Sequence, residues 1–355
     1  MNDEGLAEAS SVFPPPPRTV HGAILAGIAR NAGWRDEDGP DRFPAELQDT
    51  DKFRIFGPLP FAGPMPQSAE EILAGLLLPL PAHVRLQIRD FDQLVTGVSL
   101  LSCEEGEAGF KSDLDIGVFC QFPSETPGED RPQLLTSSGM RAILRGQPPF
   151  KYHLVADPLS VAEPRIGIAR DASRHAALDG MLYLAARQRP VEVYGLELSL
   201  LCDAWHETYA GEMQTPSSLG GDARFAWFDT VQPSLESAIR QLDEPADDNG
   251  RYAAILLTPS VVSIDFDAAR VSGLNGRLIS ICNRRPVYRG GWETRSSASK
   301  PSKTRLYMPA GTVFFMSGGH SQSRQQFEAG RHSLSADEDE ARGFGMCVFG
   351  KWPSS

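Results

Sequence analysis

The sequence is short of the groups on which most catalytic and metal chemistry is built. Its five cysteines, Cys103, Cys120, Cys202, Cys282 and Cys347, are dispersed, with no two within ten residues of each other. There is no CxxC pair and no zinc-ribbon spacing. An odd and scattered set is also unlike a secreted disulfide framework. Buried free thiols in a reducing compartment are expected, because a free cysteine packs as a small hydrophobe. The seven histidines, His21, His83, His153, His175, His206, His320 and His332, include no pair at metal-ligand spacing. HExxH, GxSxG, Walker A and a GxGxxG after a strand are all missing. No apolar run reaches the roughly 18 residues of a membrane helix. The richest stretch, Ile72 to Leu80, is short and ends among Pro79 and Pro81. The acidic opening, MNDEGLAEAS, has no apolar stretch of the signal-peptide kind. A cytoplasmic protein with no membrane partner, cofactor or metal is expected.

What is present is a chain of 355 residues, 41% hydrophobic and 23% charged, with 33 glycines and 28 prolines. That composition supports a buried core, and the length suggests about two domains. The glycine and proline content predicts many turns and long connections. The net charge of −12 argues against a protein that coats nucleic acid by bulk charge. Charge is unevenly spread, however. Residues 281–310 carry seven Lys or Arg against one Glu, a net +6, so the remainder carries −18. Tyr288, Trp292 and Tyr307 lie among those cations. Arginine binds phosphate and stacks on bases, and aromatics offer stacking platforms for single strands. The competing reading is an exposed cationic loop that pairs with the acidic surface. Gly220-Gly221, Gly290-Gly291, Gly318-Gly319 and Gly343-Phe344-Gly345 are turns, or places where backbone approaches a ligand. Asp113 and Asp115 alternate as on a solvated strand face, with no third metal ligand in view.

Periodicity gives a coarse map. FPPPPRTVHGAILAGIARNAGW predicts an extended proline entry and then a helix capped by Thr19, with Gly22 and Gly27 marking a close approach. A short strand and a proline-rich loop are expected over 53–67, and a helix over 69–78. Strands are expected within 94–120, with Ile116 to Phe119 the clearest core. A helix follows over 134–144. A strand over 163–171 is expected to lead into a helix through Ala176, Ala177, Leu178, Met181 and Leu182, capped by Asp171 or Ser173. Strand-like alternation covers Val191 to Leu200, and a domain boundary falls near 201–218. In the second half Pro233 marks a helix start, and 252–258, 277–282 and 311–316 read as strands. LDEPADDNG and ADEDEA read as acidic loops. The mixture, without a regular βα repeat, predicts an α+β chain.

Taken in order, FPPPPRTVHGAILAGIA, RIGIARDASRHAALDGMLY, LGGDARFA, LTPSVV, RPVYRGGWE…KPSKTRLYMPAGTVFF and GFGMCVFGKW resemble the third-subunit family of the type III-B (Cmr) CRISPR effector complex, within the RAMP superfamily. The matching pieces span residues 10 to 353. The resemblance implies two ferredoxin-like (RRM-like) domains with long loop insertions, over 1–205 and 206–355. It implies no catalytic site and an RNA ligand, the repeat-derived 5′ tag of crRNA. The implied partners are the large signalling subunit and the backbone RAMP subunits. By match, the RNA-contacting candidates are Arg18, Thr19 and His21 at the proline-entered helix. Arg165, Arg170 and Arg174 follow in the RxGIxRD segment. Arg284, Arg285, Arg289, Trp292, Lys300 and Lys303 stand in the basic block, and Gly343, Phe344 and Gly345 in the glycine-rich loop. Family members begin with a strand ahead of the proline motif. Here only about a dozen residues precede it, an acidic and weakly β-forming stretch, so the first domain is expected to lack its first strand, through a start codon assigned too far downstream or a truncated copy. Two alternatives remain open: a 5′-tag-capping subunit of another type III subtype, or a RAMP endoribonuclease with His21 or His175 as general acid–base. A small-molecule enzyme has no supporting motif.

Overall fold

The computed structural model describes residues 7–10, 12–35, 38–47, 52–89, 94–101, 103–105, 118–120, 134–156, 158–170, 177–206, 213, 216–219, 225–290, 292–293, 300–301, 303–328, 333–335 and 338–353. Within them the chain is mixed α/β, with few helices and many small antiparallel sheets. No described helix is long and apolar enough to cross a membrane. The expected residues Asp113, Asp115 and Ile116 lie outside the described residues.

Helix α1 spans Pro17–Asn31. It begins on proline, whose missing N–H would be unpaired in the first turn anyway. The Thr19 N–H donates to the Pro16 carbonyl at 2.8 Å. Thr19 is therefore inside the first turn and not the cap, which corrects the sequence expectation. Val20, Ile24, Leu25, Ile28 and Ala29 pack as one stripe on Leu47, Phe53 and Ile55. Gly22 is exposed, with open space where a Cβ would stand, so no close approach among the described residues explains it.

The strand Phe53–Ala62 runs on through Pro58 and Pro60, where a proline-rich loop is expected from the sequence. It pairs antiparallel with Leu198–His206, and the register shifts between Leu201 and Asp203, opposite Gly57 and Pro58. A bulge is where a strand tolerates a residue with no N–H to donate. α2 (Ala69–Gly75) is capped by Ser68, and α3 (Ser137–Leu144) by Thr136. The predicted helix through Ala176 to Leu182 does not form. Ala177–Pro190 is a strand, paired antiparallel along Ser160–Arg170. Its Leu178, Leu182, Leu184 and Ala186 also fit a period of two, and the long hairpin satisfies the backbone that a helix would have satisfied internally. The acidic start forms a short strand, Ala7–Ser10, parallel to Ala177–Pro190.

The second half centres on a four-stranded antiparallel sheet in the order Arg277–Cys282, Val313–Ser317, Arg251–Leu256, Cys347–Lys351. Both faces are buried, so side chains alternate between two cores. Tyr252, Ala254 and Leu256 join Phe314, Met316 and Phe349 beneath α5 (His320–Glu328), which adds Phe327. Ala253 and Ile255 face the other way with Phe315 and Val348. There they share one cluster with Phe56, Leu59, Phe61, Ile72 and Leu144 of the first half. α4 is Leu235–Arg240, capped by Ser234, with Pro233 directly before the cap, at the helix start the sequence marks. Its first turn is also held by the Asp203 carboxylate, which accepts from the Leu235 and Glu236 N–H groups at 2.8 Å. Part of the predicted acidic loop ADEDEA is helical, α6 (Glu338–Ala341).

Candidate nucleic-acid interface

The basic block folds back on itself as a ribbon. Val287–Arg289 pairs antiparallel with Arg305–Tyr307, and further out Trp292–Glu293 pairs with Lys300–Pro301. Alternation then divides the inner part of the ribbon into two faces. Tyr288 and Leu306 are cross-strand partners on one face and both are exposed, Tyr288 to 73%. Val287, Arg289, Arg305 and Tyr307 take the other.

Tyr307 is the hub of that second face. Its hydroxyl donates to Asp339 Oδ2 at 2.8 Å. Asp339, in α6, is only 1% exposed. The same carboxylate meets Arg305 Nη1 at 3.5 Å and Arg342 Nη1 at 3.6 Å. Burial, together with the hydrogen bond and charge of Asp339, pushes the Tyr307 hydroxyl up to about 12, while the charges of Arg18 and Arg305 act in the opposite sense. It is thus a donor, not an anion, at physiological pH. Arg18 belongs to the first turn of α1, so the charge at that helix start is felt at the Tyr307 hydroxyl of the ribbon. Arg289 also lies within electrostatic reach of Tyr307, and burial lowers its pKa.

The glycine-rich loop closes the cluster from behind. The Phe344 ring lies 5.1 Å from the Tyr307 ring. Gly343 and Gly345 both have positive φ, and each is pressed on backbone, Gly343 on Gly57 and Gly345 on Ser335. All three loop residues are buried against protein.

The predicted candidates thus separate. Arg18, Arg289 and Phe344 are drawn together around Tyr307. Thr19 is half-buried in the first turn of α1. His21 is buried under that helix, with Nε2 3.4 Å from the Phe53 carbonyl oxygen. Arg284 is half-buried, its pKa lowered by burial, while Arg285 and Lys303 are exposed beside the ribbon. Arg165 is elsewhere, on Ser160–Arg170, exposed and 3.8 Å from Glu163. Arg170 ends the same strand, and Arg174 and His175 lie outside the described residues. Trp292 and Lys300 are placed by backbone pairing only. Asp339 and Arg342 were not among the candidates. They stand in a run of acids and a following turn, and nothing in that pattern singles out the one acid that is buried. Among the described residues no group of three His, Cys, Asp or Glu could hold a metal.

A family model described as CRISPR-associated protein (Cas_Cmr3) matches residues 2–352. No curated protein sequence matches the chain. Among solved structures, a chain of the "Type III-B Cmr-beta bound to cognate target RNA and AMPPnP, state 1" aligns with a TM-score of 0.48 at 12% identity, over 99% of this chain and 95% of that one. A chain of the "Type III-B Cmr-beta bound to cognate target RNA" aligns with a TM-score of 0.45 at 12% identity, over 95% and 86%.

Proposed function

Because the chain belongs to the Cas_Cmr3 family of CRISPR-associated proteins, we propose that it is a non-catalytic RNA-binding subunit of a type III-B CRISPR ribonucleoprotein. In this reading it holds the repeat-derived 5′ tag of crRNA and bridges the large signalling subunit to the backbone RAMP subunits. The observation that carries the reading is the two-faced ribbon, with arginines on one side and exposed Tyr288 on the other. Guanidinium groups would hold phosphates and the aromatic would stack on a base. The acidic remainder of the surface would suppress indiscriminate binding and meet basic partner surfaces. We also read each half as a ferredoxin-like domain. Support for the second half is its strand order, in which the first strand in sequence lies between the third and the fourth, and the second is outermost.

The test replaces Arg284, Arg285 and Arg289 together with Ala and measures tagged crRNA binding by the assembled complex. Weaker binding with a shallower salt dependence is expected. Unchanged affinity and slope would remove the ribbon from the proposal. The endoribonuclease alternative is disfavoured at His21, whose ring is used in the contact with Phe53. Specific cleavage of precursor RNA by the purified protein, abolished by His21→Ala, would restore it.

A further inference from the structure

The Tyr307 face of the ribbon holds a charge arrangement that the fold alone leaves unfavourable. Arg289 and Arg305 are direct cross-strand partners. Their side chains leave on the same face, where like charges repel and a sheet ordinarily places opposite ones. Asp339 offsets this only in part. Its shortest contact is to Tyr307, and its approaches to Arg305 and Arg342 are long, at 3.5 and 3.6 Å. Arg289 Nε is buried with no hydrogen-bond partner among the described residues. Leaving such a donor unsatisfied is unfavourable. An anion between the two guanidiniums would offset their repulsion.

We infer that Arg289 and Arg305 form a site for one phosphodiester group, beside the Tyr307–Asp339 pair. The inference rests on the RNA-binding reading and specifies which contact is made. Two guanidinium forks suit a tetrahedral oxyanion, to which each can donate in parallel. The buried Asp339 carboxylate beside them selects for a singly charged diester, because a dianionic terminal phosphate would meet stronger repulsion. The site therefore takes an internal linkage of the RNA, not its end and not free phosphate.

The experiment uses the assembled complex with the wild-type chain or with Arg289→Gln. Tagged RNAs are prepared in which one phosphodiester at a time is replaced by a neutral methylphosphonate. In the wild type, one linkage is expected to lose roughly tenfold or more in affinity when neutralised, as for the loss of a charge-assisted hydrogen bond. In Arg289→Gln the same replacement is expected to have no further effect, and Arg289→Lys to behave in between. RNA that binds both complexes with the same linkage profile overturns the site. RNA binding that is unaffected by omitting this subunit overturns the RNA reading itself, and the site with it. Removing a 5′-phosphate, or adding inorganic phosphate, is expected to leave the effect in place; loss of the linkage effect in either arm overturns the assignment to a diester. Arg289→Gln is expected to melt at the same or a higher temperature, since it relieves repulsion. A lower melting temperature with an unchanged linkage profile would make Arg289 a structural residue and sink the inference.

Discussion

Gly343 rests directly on Gly57: a Cβ added to Gly343 would overlap the Gly57 carbonyl oxygen and press on Ile55. The contact joins the glycine-rich loop of the second half to the bulged strand of the first, and the Gly57 N–H faces Met346 Sδ at 2.8 Å in the same seam. Gly343 also has φ +81°, where a side chain is strained whatever the space. Gly343→Ala is therefore expected to destabilise by roughly 2–4 kcal/mol, combining left-handed strain with overpacking. Gly318 has φ +74° but open space around it. Gly318→Ala should cost only the strain, about 1–2 kcal/mol. Denaturant unfolding of the two variants checks the difference, and equal losses would remove the seam from the account.

The buried Tyr307–Asp339 pair makes a second prediction. Asp339→Ala leaves the Tyr307 hydroxyl without its acceptor and two arginines without their shared carboxylate. A loss of about 3–5 kcal/mol is expected, as when one partner of a buried ion pair is removed. Tyr307→Phe removes a single donor and should cost about 1–3 kcal/mol. Thermal or denaturant unfolding ranks them, and a larger loss for Tyr307→Phe would contradict the arrangement.

Arg240 sits between the two cores of the second half. Its guanidinium lies 5.8 Å from the Phe56 ring centroid and 5.7 Å from that of Phe327, and it pairs with Asp243 at 3.1 Å. Asp243 in turn accepts from the Phe349 N–H at 2.8 Å. Arg240→Met should keep the packing but leave Asp243 buried without its paired guanidinium, with only the Arg324 charge still acting on it. Destabilisation of about 3–5 kcal/mol is expected for that single change. Restoring much of the loss with Arg240→Met/Asp243→Asn, where the amide oxygen still accepts from Phe349, would confirm that the unpaired charge is the cause.

His320 and Asp243 bring opposite pH dependences. Burial lowers the His320 pKa below its ordinary 6.5, with the Arg324 charge adding to the effect. The folded state then holds the neutral ring. Its stability contribution is complete above the unfolded value and is lost as pH falls through the lower folded value. Burial raises the Asp243 pKa above its ordinary 3.8, against the pull of Arg240. That contribution is complete below 3.8 and is lost as pH rises through the folded value. His320→Gln should therefore flatten the fall in unfolding free energy on acidification below about pH 6.5, where one histidine can contribute at most about 1.4 kcal/mol per pH unit. Unfolding curves of wild type and variant between neutral and mildly acid pH decide this.

Much of the second-half sheet was legible, because Tyr252 to Leu256, Leu278 to Cys282 and Val313 to Met316 are short, largely apolar runs between turn residues. Two elements were misread for physical reasons. Prolines at 58 and 60 read as a loop, yet a bulge opposite Cys202 lets the strand continue. Ala176 to Leu182 fits either period, and only the partner strand Ser160–Arg170 decides between them. The site was legible in pieces. Arg18, Arg289 and Phe344 were each marked, but their convergence on Tyr307 is a tertiary fact with no local trace. Asp339 was hidden, because an acid in an acidic run is ordinarily solvated and this one is not.

The cluster shared by Phe56, Leu59, Ala253, Phe315 and Val348 has a consequence for how the molecule matures. The helix start bearing Arg18 comes from early in the chain, whereas the loop backing Tyr307 arrives only with Gly343 to Gly345. A nascent polypeptide still lacking that loop presents its cations without the buried acid and aromatic wall that order them. In the reading proposed above, the RNA contact at this cluster is therefore complete only once synthesis has passed both halves.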